Sequence, residues 1–287
     1  MSRMPRVWGN SSGKPHPRPR GSAGSVLAVL AVLSHSAFAQ VQRVTITPQI
    51  AKLRPLTEDQ EKTLAGVRAY SEAYLRGLPD FMCIQVTKRT AQSARLDAFP
   101  ISDTVREQVT FSDRTESYEV QSVNGKPVQK GHNALGGNMS SGEFGTLLDR
   151  VFQPESATEF GWERRTTLRG APVDVFVYRV SKDHGYTLYS GGQKYESAWE
   201  GLIYADHRNG AVLRIRMDVT GLPTNFPVHN LNMTVDYAPV KIGDREYILP
   251  AHFELTQESS GGVTNNHAEY GSYRKFETDA RFSTPEP

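Results

Sequence analysis

Between residues 211 and 256 apolar and polar side chains alternate with a period of two through three successive stretches. Leu213, Ile215, Met217 and Val219 stand against Arg214, Arg216 and Asp218. Leu231, Met233, Val235 and Tyr237 stand against Asn230, Asn232, Thr234 and Asp236, and Phe253 and Leu255 stand against Glu254 and Thr256. Successive side chains of a strand face opposite sides of a sheet, so each stretch has one dry face and one wet face. That pattern belongs to antiparallel sheets, because parallel strands are covered on both sides and read as unbroken apolar runs. The pairs Asn124-Gly125, Arg169-Gly170, Gly191-Gly192, Asn209-Gly210, Gly243-Asp244 and Gly261-Gly262 each separate two strand-like runs. They contain residues that tolerate positive φ, as hairpin turns require. The expectation is a meander of about ten or eleven strands.

Two segments depart from this period. Thr57 and Gln60 form a capping box, with Glu58 and Asp59 in the first turn, where carboxylates favour the helix dipole. Leu64, Val67, Tyr70 or Ser71, Tyr74, Leu75 and Leu78 then recur at helical spacing until Gly77 and Pro79 end the run. Farther on, Ser140 and Glu143 have the spacing of a second capping box, before a short helix carrying Phe144, Leu147, Leu148, Val151 and Phe152 and stopped by Pro154. A large sheet that is polar on one face needs a cover on the other, and these two helices supply it. The fold class is therefore α+β, mainly β: a large curved antiparallel sheet, a half-barrel, with helices on its concave face. Residues 57–280 are expected to form this domain, after an extended arm at 40–56 and before a flexible tail at 281–287.

Residues 1–39 read as a secretory leader: five basic and no acidic side chains, an apolar run at 26–33, then Ala37-Phe38-Ala39 before Gln40. The expected location is periplasmic or secreted. Gln40, where a lipoprotein would carry cysteine, gives no site for lipidation. Removing the leader leaves 28 basic side chains against 31 acidic ones. The mature chain thus lacks the basic footprint of a nucleic-acid binder. No later segment approaches the roughly 20 apolar residues of a membrane span. The single cysteine, Cys83, excludes an internal disulfide and lies among Phe81, Met82 and Ile84, a setting for a buried thiol.

No motif in the chain carries a reaction. The stretch 136–142 is Gly-rich but lacks the G-K-[ST] ending of a phosphate loop, and it does not match the G-x-S-x-G nucleophile elbow. His132, His184, His207, His229, His252 and His267 are scattered singly, with no H-x-H or H-E-x-x-H spacing, so they read as surface side chains rather than metal ligands. No cofactor motif is present. What the sequence offers is apolar surface on the sheet's inner face. Leu213, Ile215, Met217, Leu231, Met233, Val235, Tyr237, Phe253 and Leu255 are the candidate lining of a cavity, with Phe144 and Leu148 as a movable cover. The same residues would equally fill a solid core.

The hairpin Gly201-Leu202-Ile203-Tyr204-Ala205-Asp206-His207-Arg208-Asn209-Gly210-Ala211-Val212-Leu213-Arg214, the leading amphipathic helix and the closing Tyr273-Arg274-Lys275-Phe276 resemble the LolA-like group of exported bacterial proteins. That group includes outer-membrane lipoprotein carriers and envelope-stress regulators that sense lipoproteins or lipopolysaccharide. The resemblance spans residues 57–276 and implies helices plugging a half-barrel whose apolar cavity accepts acyl chains. None of the carriers' functional residues aligns with a position here. The function expected is a non-enzymatic binding protein for a lipid or a lipoprotein acyl chain. The alternative is an envelope domain with a filled core that binds a protein partner through its sheet edges or the loop at 131–138. A hydrolase is a third reading, for which no converging Ser, His and Asp can be named.

Overall fold

The computed structural model describes residues 53–93, 101–135 and 142–276, all within one compact unit, Thr47–Pro287. The leader, most of the arm, the loop residues 136–141 and the tail lie outside the described residues. Helix α1, Glu58–Gly77, starts on the expected capping box: the Thr57 N–H donates to Gln60 Oε1 (3.0 Å) and the Gln60 N–H to Thr57 Oγ1 (3.4 Å). From Phe81 the chain is almost all strand. β1 (Phe81–Ser93), β2 (Ile101–Ser112), β3 (Thr115–Val123) and the two-residue β4 (Lys126–Pro127) lead to helix α2 (Thr146–Phe152). β5 (Glu159–Leu168), β6 (Ala171–Val180), β7 (Tyr186–Ser190), β8 (Gln193–Asp206), β9 (Val212–Thr220), β10 (Val228–Ile242), β11 (Arg245–Ser259) and β12 (Gly262–Lys275) follow.

These twelve strands form one antiparallel sheet in the order β4-β3-β2-β1-β12-β11-β10-β9-β8-β6-β5, with β7 paired to the first half of β8. Neighbours in sequence are neighbours in space almost throughout, as the turn pairs require. The exceptions are β6 with β8, and β1 with β12, which seats the last strand near the middle of the sheet while β4 and β5 lie at opposite borders. Eleven strands laid flat would measure about 50 Å across. Phe81 and Val109 from one half nevertheless share a single apolar cluster with Phe176 and Trp199 from the other, so the sheet wraps. It does not close, because β4 and β5 are its two free borders. Both helices lie on the concave side, where Leu64 and Val67 of α1 and Leu147, Leu148, Val151 and Phe152 of α2 join that cluster.

The β8–β9 turn fixes where α1 rests. Gly210 has φ +75°, and a Cβ there would stand 3.0 Å from the Gly66 carbonyl oxygen. Glycine alone accepts that backbone region freely and leaves room for the helix. The β2–β3 turn is tighter and has no glycine, with Asp113 and Arg114 both left-handed at φ 51° and 61°. Asp80 compensates by accepting hydrogen bonds from Ser112 Oγ (3.2 Å) and the Asp113 N–H (3.3 Å).

Two expectations are corrected. Helix α2 begins at Thr146 behind Gly145, which supplies no side-chain cap, so Glu143 is not the third residue of a capping box. Its side chain is buried instead. On β9 the register slips, with Tyr204 facing Arg214 and Ala205 facing Val212. The extra residue makes Val212 the inward side chain and leaves Leu213 only half-buried. Leu213 thereby leaves the Ile215, Met217 and Val219 series, as a bulge re-aims the side chain it displaces.

Candidate ligand site

The concave face carries Ile215 and Met217 of β9, Leu231, Met233, Val235 and Tyr237 of β10, and Phe253 and Leu255 of β11. All are buried in one cluster, with Phe144 and Leu148 packed over them. Most of this interior is filled by side chains. A cleft of about 410 Å³ runs from the β2–β3 turn beneath the start of α2 to Tyr186 and reaches Met233. Leu147 and Met233 give it an apolar wall and floor, and Arg114, Glu116, Glu143 and Arg150 give it a charged rim. Leu213 and Tyr237 line a separate depression of about 420 Å³ beside Arg169 and Asp206.

The cover over the cleft is pinned at its N-terminal end by three elements. The Glu116 carboxylate on β3 accepts the Gly142 N–H (2.7 Å) and the Phe144 N–H (3.2 Å). Tyr74 of α1 donates its hydroxyl to the Phe144 carbonyl (3.1 Å), and Tyr237 of β10 donates to the Glu143 carbonyl (3.1 Å). Burial pushes the Tyr74 and Tyr237 phenols far up from the ordinary tyrosine value, so both remain donors across the physiological range. The Tyr118 hydroxyl lies between Glu116 and Glu143 and is raised for the same reason. The helix that follows has seven residues. A helix so short is held by packing rather than by its own propensity.

Elsewhere on the inner face a polar row crosses three strands. Tyr270 of β12 is opposite Gln85 of β1, and Gln85 is opposite Glu107 of β2. All three are buried, and among the described residues Tyr270 Oη, Gln85 Oε1 and Glu107 Oε2 have no hydrogen-bond partner. Gln85 Nε2 donates to Thr87 Oγ1 (3.0 Å), and Glu107 Oε1 is 2.8 Å from His132 Nδ1. The sequence reading assigned His132 to the surface, whereas it is the partner of a carboxylate with no solvent exposure. The signal for Glu107 was present, since the alternation Val105, Val109, Phe111 carries position 107 inward with its neighbours.

Another polar constellation is a cross-link. Asp174, buried on β6, has one oxygen 2.7 Å from Arg165 Nε and the other 2.7 Å from His207 Nδ1, tying β5 and β6 to the β8–β9 turn. Cys83 is 2% exposed, and burial pushes its thiol up to about 12. At pH 8 the native protein is therefore expected to resist iodoacetamide, with full alkylation only after addition of denaturant. Rapid labelling of the folded chain, read by intact mass, would contradict the burial. Among the described residues no helix is long and apolar enough to cross a membrane.

No family model matches the chain, and no curated protein matches it. Solved structures do. The LolA superfamily protein NE2245 from Nitrosomonas europaea is similar at 10% identity over 74% of this chain and 93% of that one, with a TM-score of 0.40. A putative outer membrane lipoprotein-sorting protein domain from Vibrio parahaemolyticus is similar at 12% identity over 76% and 94%, TM-score 0.40. The Mycobacterium tuberculosis lipoprotein LppX is similar at 10% identity over 74% and 95%, TM-score 0.30.

Proposed function

We propose that this chain is an exported, non-enzymatic binding protein that shelters a lipid or acylated ligand between its curved sheet and its helices. The observation that carries this reading is the cleft of about 410 Å³ that leads beneath α2 to Met233 on the apolar concave face. Its volume falls within the usual range for small-molecule sites. A methylene moved from water into such a site contributes about 0.8 kcal/mol, so ten of them supply on the order of 8 kcal/mol against the costs of association. α2 is the movable part, a seven-residue helix without a side-chain cap that hinges on the pinned turn at 142–145. Lifting it lengthens the apolar floor from Met233 toward Leu231 and Leu255. Arg114 and Arg150, beside Glu116 and Glu143, suit the polar end of an amphiphile at the mouth.

Protein purified from a membrane-bearing host is expected to carry lipid visible by native mass spectrometry, and the delipidated form to bind a fluorescent long-chain fatty acid. Thr146 is exposed at the cleft mouth. Thr146→Trp should weaken the probe about tenfold or more without disturbing the core, whereas Leu213→Ala, in the other depression, should leave it unchanged. A clean apo mass together with no fluorescence gain on titration defeats the proposal. A second reading, an interaction domain with a filled core, draws on the complete burial of Ile215, Met217 and Val235. On that reading Thr146→Trp has no effect, and crosslinking in the envelope recovers a protein partner instead.

A further inference from the structure

The convex face of the sheet carries a constellation that the apolar cleft does not use. β11 contains His252-Phe253-Glu254 and β12 contains His267-Ala268-Glu269. The antiparallel register sets His252 opposite Glu269 and Glu254 opposite His267, so that two imidazoles lie on one diagonal and two carboxylates on the other. The intervening Phe253 and Ala268 point into the core and are buried, which turns all four polar side chains outward. One ligand atom each from His252, His267 and Glu269 falls within 4.8 Å of the others. The fourth residue, Glu254, has a carboxylate oxygen 3.3 Å from His267 Nδ1, while His267 Nε2 stands 4.0 Å from Glu269.

We propose that His252, His267 and Glu269 form a surface site for a borderline divalent transition-metal ion of the Zn²⁺ class, with Glu254 as a positioning residue. Two imidazoles and one carboxylate are the donor set such ions take, and imidazole discriminates against Ca²⁺ and Mg²⁺, which prefer all-oxygen shells. Zn²⁺ bonds of about 2.0–2.2 Å put tetrahedral ligand atoms roughly 3.3 Å apart. All three side chains are exposed, and the two imidazoles already stack at 6.4 Å between centroids, so side-chain rotation suffices to bring the present separations to that value. Glu254, with an oxygen 3.3 Å from Nδ1 of His267, is placed to accept a hydrogen bond from it and so to hold the tautomer that leaves Nε2 for the ion, the usual carboxylate–histidine–metal arrangement. The backbone beneath is rigid, because β12 is flanked by β1 and β11 and β11 by β12 and β10. Three protein ligands leave a coordination position open to solvent, as in sites that bind a further ligand through the metal. Lys88, opposite His267 on β1, is an exposed cation on a flexible stem, and Arg214 on β9 is near enough to interact with Glu254.

The test is a Zn²⁺ titration of the intact protein against a chromophoric zinc chelator. One equivalent is expected to bind, with Ca²⁺ giving no competition. His252→Ala and His267→Ala should each weaken binding at least about tenfold. Glu254→Ala should weaken it, and Glu254→Gln, which keeps the acceptor oxygen, should restore most of the loss. His229→Ala, elsewhere on the sheet, should change nothing. Because the altered side chains are exposed, far-UV circular dichroism should be the same for every variant. Co²⁺ substitution gives an independent readout, a visible d–d band in the wild type that disappears in the His252→Ala/His267→Ala double variant. Absence of saturable Zn²⁺ binding in the wild type, or one-equivalent binding that survives the double variant, overturns the proposal. Neither result bears on the acyl-chain cleft, which lies on the opposite face.

Discussion

Gly201→Ala is expected to lower the unfolding free energy by about 3 kcal/mol, and Gly201→Val to leave no soluble fold. Gly201 lies on the inner face of β8, opposite Met217 of β9. A Cβ built on it would stand 1.8 Å from the Arg216 carbonyl oxygen and 2.9 Å from the Tyr178 hydroxyl. That hydroxyl donates to the same carbonyl at 2.9 Å, and Tyr178 has no solvent exposure. Backbone and a buried ring thus occupy the volume a methyl group would need. Accommodating it means parting β8 from β9 or expelling Tyr178, and well-packed interiors give way to neither cheaply. Typical domains have only about 5–15 kcal/mol in total, so the larger valine exhausts the margin. Gly66→Ala in α1 is the matched control. That position is exposed with nothing within 4 Å of the added atom, and alanine there should stabilise by about 0.5–1 kcal/mol. Urea midpoints at constant slope measure both; equal and small shifts for the two glycines would refute the steric account.

The second large effect is an asymmetry between two partners. His132→Ala is expected to cost roughly 3–5 kcal/mol, because it strands the Glu107 side chain in the interior without the hydrogen-bond partner it has among the described residues. Glu107→Leu should be near neutral or stabilising. It removes a group that is 0% exposed and half unsatisfied, and puts apolar volume beside Val105, Val109 and Val120, while His132 keeps some access to water. The Glu107→Leu/His132→Leu double variant should then lie close to Glu107→Leu rather than to His132→Ala. Equal losses for His132→Ala and Glu107→Leu would mean that the pair contributes directly, and the desolvation argument would be wrong.

How far these features could be read in advance depends on whether they are local. The capping box at Thr57 and the hairpin turns at Asn124-Gly125 and Arg169-Gly170 depend on residues adjacent in sequence, and they form as their chemistry dictates. The Asp113-Arg114 turn was not legible, since neither residue advertises positive φ and the carboxylate supporting it comes from Asp80. α2 was placed a turn early because a capping spacing recurs by chance, and the structure uses Glu143 as a buried side chain instead. Two strands exceed any count made from alternation: β4 has two residues and β7 five, too few to show a period. Leu213 illustrates the limit of a period-two reading, as one inserted residue reverses which side chain is inside. Site residues were harder still. The Glu107–His132 pair and the His252/His267 diagonal each need strand register or a return of the chain, and no spacing within one segment encodes either.

An open half-barrel has two places where a foreign strand could continue it, and here each is guarded by different chemistry. At one border β4 is two residues long, covers only Ser122 and Val123 of β3, and ends in Pro127, which has no N–H to offer a newcomer. The β5 border is ten residues long and carries Glu163, Arg164 and Arg165 in succession, so a docking chain would have to strip water from three charges to pair with it. Proline at one border and a run of charges at the other thus oppose strand addition at the two places where edge-to-edge polymerisation would begin.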